Sequence, residues 1–191
     1  GTYRVWVSAD GAGFLGALGR RYAVTTLTVT EPPPPGDYLI IDVSGGPDAA
    51  SYPVSYLDAV PPGGWSEEYR TTRIVLRKVP RTAAAFLMGS PIGELGRDDW
   101  HETQHPVTLT AAFYIGVFEV TQRQWNLVMG NWPSYFDNAS VRDSRPVEHV
   151  AYDHIRGAVA GAGWPADNRV DADSFLGRLR AKAYPPLPDL D

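Results

Sequence analysis

A helix start is written into four consecutive residues, and it constrains the fold of this chain more than any other feature. In Thr121-Gln122-Arg123-Gln124 the Thr121 hydroxyl can accept a hydrogen bond from the Gln124 amide, while the Gln124 side chain can return to the Thr121 amide. Val120 and Trp125 occupy the flanking positions of a hydrophobic staple. Trp125, Val128 and Met129 share one helical face, and Gly130 supplies the stop. Immediately upstream, Phe113–Val120 is a more apolar run that reads as a strand. A strand must hand over to a helix at Thr121, which makes the fold class a mixture of α and β.

Just ahead of that strand lies His101-Glu102-Thr103-Gln104-His105, the letters of a zinc-hydrolase helix. Such a helix works because it sets both imidazoles one turn apart on one face, with the Glu beside them to polarise water. Here Pro106 follows His105 and pushes it out of helical geometry. Gly93 and Gly96 break any helical period upstream, and Val107–Thr110 alternates as a strand. In an extended chain two histidines four residues apart share a face but stand too far apart for one ion. The segment reads as a polar loop leading into a strand.

Upstream, Phe86–Ser90 reads as a short strand ending in a glycine turn, Tyr38–Val43 as a buried strand closed by Ser44–Pro47, and Arg73–Val79 as a half-exposed strand. Tyr52–Val60 mixes aromatic residues with proline and reads as an ordered loop or edge segment. Downstream, Trp132, Tyr135 and Phe136 form an aromatic cluster for which packing is the expectation. Asn138-Ala139-Ser140 fits a glycosylation sequon. A second helix is expected from Ala151 to Ala160, ended by Gly161 and Gly163. A third, capped by Asp173 or Ser174, carries Phe175, Leu176 and Leu179 on one face. Glu148, His149, Asp153 and His154 lack a third partner and read as surface charges rather than a proton relay.

The N-terminal part has a different texture. Tyr3–Ser8 and Ala23–Thr30 read as strands around Gly11-Ala12-Gly13-Phe14-Leu15-Gly16, a match to GxGxxG. A dinucleotide fold needs a long crossover helix, whereas 17–22 allow about one turn and include Gly19. An antiparallel hairpin with a glycine-rich loop fits better. Pro32–Pro35 is a stiff spacer that marks a domain boundary.

Composition closes off several classes. Of 191 residues 43% are apolar, enough to bury a core. A net charge of -5 with scattered basic residues argues against a nucleic-acid surface. No apolar run approaches the length of a membrane span. The absence of cysteine removes disulfides, thiolate metal sites and cysteine nucleophiles from this chain.

The ordered series MGS, HPVTL, FYIG, EVTQRQW, VMGNWPSYF and RPVEHV resembles the N-terminal part of the formylglycine-generating enzyme family, the sulfatase-modifying factor domain. The resemblance runs from about Phe86 to Lys182, with a weaker continuation upstream to Tyr38. It implies an irregular α+β fold related to C-type lectins. It also implies a class whose founding enzymes oxidise a sulfatase cysteine to formylglycine with copper and a cysteine pair, calcium being a structural ion. From Ala183 the match stops where the family continues with a strand resembling RLPTEAEWEYA, which suggests truncation or a shifted frame near Lys182. The opening Gly1–Val5 resembles the penultimate strand of an immunoglobulin-like domain, with Val5 where antibody domains carry cysteine.

The expected organisation is therefore 1–31 as the last strands of an immunoglobulin-like module, 32–37 as linker, 38–182 as the N-terminal portion of a sulfatase-modifying-factor domain, and 183–191 as a divergent tail. No residue is carried over as catalytic, cofactor-binding or metal-ligating, and no cofactor is expected in this chain. The expectation is an inactive formylglycine-generating-enzyme-like fragment. The alternative is a non-catalytic, extracytoplasmic binding or adhesion module with a protein or glycan ligand.

Overall fold

The structure, a computed structural model, describes residues 36–82, 84–98 and 100–187, together with the backbone of 2–8 and 22–28. The chain forms two compact units, Gly1–Pro35 and Gly36–Asp191. In the first, β1 (Thr2–Ser8) pairs antiparallel with β2 (Tyr22–Thr28), Val5 opposite Thr25. That direction suits a hairpin and not the parallel crossover of a dinucleotide fold. The GxGxxG segment and the proline spacer lie outside the described residues.

The second unit is built on a mixed sheet. Its centre is β3 (Tyr38–Asp42), flanked antiparallel by β4 (Tyr52–Leu57) and β5 (Arg73–Val79). β8 (Phe113–Gly116) adds antiparallel to β5, and β9 (Ala183–Tyr184) adds parallel to β4. The order is thus β8-β5-β3-β4-β9. The middle of β3, Leu39–Ile41, is apolar because both of its faces are covered: Leu39 and Ile41 join the helical side, and Ile40 is buried on the other. Of Tyr52–Val60, expected as an ordered loop or edge segment, residues 52–57 form β4, which has β9 on its outer side only at Tyr52 and Pro53 and is a sheet edge beyond them. Pro53 is tolerated because it stands near the start of β4, beside the two-residue partner β9.

β8 is shorter than the expected Phe113–Val120. After Gly116 the Val117 amide makes one more bond, to Val75 O at 2.9 Å, and the chain then bends toward Thr121. At that point α2 (Gln122–Met129) starts with the full capping box: Gln124 N donates to Thr121 Oγ1 at 3.2 Å, and Thr121 N donates to Gln124 Oε1 at 2.9 Å. Gly130 ends it in the left-handed region, at φ 82°. The same residues reach across the fold. Thr121 Oγ1 donates to Arg70 O (2.7 Å), and Gln124 Nε2 donates to Arg73 O (2.7 Å) and Tyr69 O (3.3 Å). These carbonyls belong to the one-turn helix α1 (Glu68–Thr71) and the start of β5. The cap therefore also docks α2 onto the sheet.

Two further helices complete the layer. α3 (Tyr152–Arg156) is much shorter than the expected Ala151–Ala160. It stops at Gly157, φ 97°, because the Asp171 carboxylate captures the next free amides, Val159 (3.0 Å) and Ala160 (2.7 Å). α4 (Phe175–Lys182) is capped by Ser174, whose Oγ accepts from Gly177 N at 3.1 Å; Asp173 plays no part in the cap. Trp125 of α2 and Phe175 of α4 stack face to face, centroids 5.0 Å apart and 4° from parallel. Tyr52 is fully buried, and the single proton of its hydroxyl lies within reach of both Gly46 O (3.1 Å) and Leu127 O (3.2 Å), joining sheet, turn and helix. Beyond α4, Ala183 is buried and Leu187 packs against the core.

One element stays uncovered. β6 (Phe86–Met88) and β7 (His105–Val107) form a separate antiparallel ribbon, and all three residues of β6 are exposed, Leu87 at 65%. The strand expected at Val107–Thr110 lies earlier and includes Pro106.

Candidate functional site

The features best suited to meeting another molecule cluster just past α2. Trp125 Nε1 donates to Asn131 Oδ1 at 2.9 Å, fixing the first loop residue to the helix it leaves. Ser134 and Glu148 then exchange two bonds: Glu148 N donates to Ser134 Oγ (3.2 Å) and Ser134 Oγ donates to Glu148 O (3.3 Å). Phe136 N donates to the Glu148 carboxylate at 2.9 Å. His149 holds Pro133 O at 3.2 Å through Nδ1, which must carry the proton because a carbonyl only accepts. To do so, His149 adopts φ 62°, a left-handed conformation uncommon outside glycine. The loop 131–136 is thus pinned along its length.

What it presents is aromatic. Tyr135 and Phe136 meet edge to face, centroids 5.1 Å apart, and are exposed at 79% and 63%. The expected packing of the cluster applies to Trp132 alone, which is partly buried with the Arg142 guanidinium 3.8 Å above its ring. Glu148 and His149, read from sequence as surface charges, are the pins of the loop. The signal for this was weak, because the contacts join residues 12 to 16 apart.

Behind the loop, Asn131 and Pro133 border a cleft of about 430 Å³ between α2, α3 and α4. Trp125 and Met129 supply its apolar wall, and Asp153 and Asp173 stand on its rim. Its remaining polar groups are committed to structure. His154 Nδ1 accepts from Ala151 N at 3.0 Å, and Ser174 Oγ donates to Asp171 O at 2.7 Å while accepting at the α4 cap. The bonds from Val159 and Ala160 hold the Asp171 carboxyl below its ordinary range. A cleft of this make-up can take an apolar group with a donor or cationic end; it offers no hydroxyl poised against a free base.

The HETQH segment is not helical. Its two histidines face separate partners, His101 Nδ1 lying 2.8 Å from Asp98 Oδ2 and His105 Nδ1 3.0 Å from Thr103 O. Glu102 accepts from Ser90 Oγ at 3.0 Å and is a loop tie. The bond to His101 lowers the Asp98 carboxyl. Among the described residues no three of His, Asp and Glu converge as an ion site. The sequence contains no cysteine, so this chain itself offers no thiolate to an ion.

Comparison of the chain with protein-family models, with curated proteins and with solved structures returns no match. Among the described residues no helix is long and apolar enough to cross a membrane.

Proposed function

We propose that residues 38–182 correspond to the N-terminal part of a sulfatase-modifying-factor domain of the lectin-like type, and that this chain performs no cysteine oxidation. The observation that carries the reading is the ordered motif series from MGS to RPVEHV. The mixed α+β architecture and the strand-to-helix corner at Thr121 support it at the level of fold class. The lack of cysteine supports the absence of turnover. An oxygen-uptake assay with copper and a sulfatase-type cysteine peptide tests the second half. No uptake above the metal-only control is expected, and copper-dependent uptake that tracks peptide loss contradicts the reading.

A second reading is favoured by the exposed pair Tyr135 and Phe136 on their pinned loop: a binding or adhesion module, placed outside the cytoplasm, that recognises a glycan or peptide. Pinning lowers the ordering cost of binding, and an aromatic pair can stack on a sugar face or an apolar side chain. A glycan and peptide panel tests it. Signal that disappears in Tyr135→Ala and Phe136→Ala, with unfolding midpoints unchanged, supports the module. Equal signal in the variants removes the loop from consideration.

A further inference from the structure

Beyond the aromatic pair the loop runs into Asn138-Ala139-Ser140, the one N-x-S/T triplet in the sequence, with alanine rather than proline in the middle. All three residues are exposed. Asn138 Oδ1 accepts from the Ser140 hydroxyl at 2.8 Å and from the Ser140 amide at 3.0 Å. Among the described residues, nothing accepts a hydrogen bond from the Asn138 side-chain nitrogen. One end of the amide is therefore doubly hydrogen-bonded and the other is open to solvent.

We propose that Asn138 is an acceptor for an N-linked glycan, delivered by an oligosaccharide transferase from an isoprenoid-pyrophosphate-linked saccharide. A carboxamide nitrogen is a poor nucleophile because its lone pair is delocalised onto oxygen. Two donors on Oδ1 stabilise negative charge there and make an Nδ2 proton easier to remove. The transferase base takes that proton, Nδ2 forms a bond to the anomeric carbon, and the bond from that carbon to the pyrophosphate oxygen breaks. The pyrophosphate departs with the electron pair. Ser140 is neither consumed nor bonded to the sugar, so its part is positional.

The backbone and side-chain bonds of Asn138 run to Phe136, Ser140, Val141 and Arg142, all within four residues of it. The geometry is thus held by neighbours in sequence, and a saccharide placed there stands on an exposed stretch of the loop.

The test is to express the full chain through a eukaryotic secretory route, with a reference sequon peptide fused to its end, and to map site occupancy by mass spectrometry on cells and medium together. The expected result is a saccharide on Asn138 in the wild-type chain, none in Asn138→Gln or Ser140→Ala, and higher occupancy in Ser140→Thr, which keeps the hydroxyl. A glycosylated reference peptide beside an unmodified Asn138 overturns the proposal. So does occupancy that is unchanged in Ser140→Ala.

Discussion

Gln124 shows how much one side chain can hold. Only 2% exposed, it uses Oε1 to close the capping box and Nε2 to bind the carbonyls of Tyr69 and Arg73. Glutamate is the commonest capping-box partner, so sequence logic alone rates Gln124→Glu as harmless. The structure predicts otherwise, because a buried carboxylate would face two carbonyl oxygens with no donor to offer. Gln124→Glu is expected to cost about 3 kcal/mol, measured by denaturant unfolding, and a cost within 0.5 kcal/mol, taken as roughly the ordinary spread of surface substitutions, speaks against the docking. Asp171 gives a pH counterpart. Its folded value is lowered by the amides of Val159 and Ala160, so its contribution is present above the unfolded value of about 4 and is lost as pH falls through the lower folded value. Asp171→Ala should therefore lower the unfolding midpoint at pH 7 and converge with the wild type at strongly acid pH. A difference that persists undiminished at acid pH assigns the effect to packing instead.

At the scale of elements, legibility follows the range of the interactions. α2 and its cap are written in adjacent residues and could be read to the residue; Ser174, a cap for α4, was one of two candidates for the same reason. The end of α3 is only half legible: Gly157 is a local stop signal, but the Asp171 carboxylate that takes the amides beyond it lies outside the helix. The same holds for the loop 164–171. There the buried Arg156 (2.7 Å) and the half-buried Arg180 (2.9 Å) both donate to Asn168 Oδ1, a staple invisible to periodicity. The pins of the aromatic loop escaped for the same reason, since His149 and Glu148 act on residues far back in sequence. Gly157 marks the α3 stop, with φ 97° and the Asp171 side chain where a Cβ would lie. Gly157→Ala is expected to cost ~2 kcal/mol from backbone strain, with further loss where Asp171 is displaced. A neutral result in calorimetry contradicts this description of the stop.

For the second unit as a whole, the decisive arrangement is a sheet and a helical layer that share one buried core and are tied by hydrogen bonds at the corner where α2 starts. Thr121 and Gln124 bind the carbonyls of Arg70, Tyr69 and Arg73, Tyr52 binds Leu127, and the Trp125–Phe175 stack carries the join on to α4. The loop that presents Tyr135 and Phe136 starts at the far end of α2 and is fixed to it through Trp125 and Asn131. The β6–β7 ribbon stands apart, with exposed apolar residues and no share in the buried cluster. Local opening is expected to begin there, while the corner opens only with the whole unit. Native-state amide hydrogen exchange on the full chain tests this claim most directly. The amides of Gln124 and Trp125 should exchange with the same free energy as Leu39 and Ile41 in β3, and those of Phe86 and Leu87 far faster. Exchange at Gln124 through a small local opening, with β3 still protected, would contradict it.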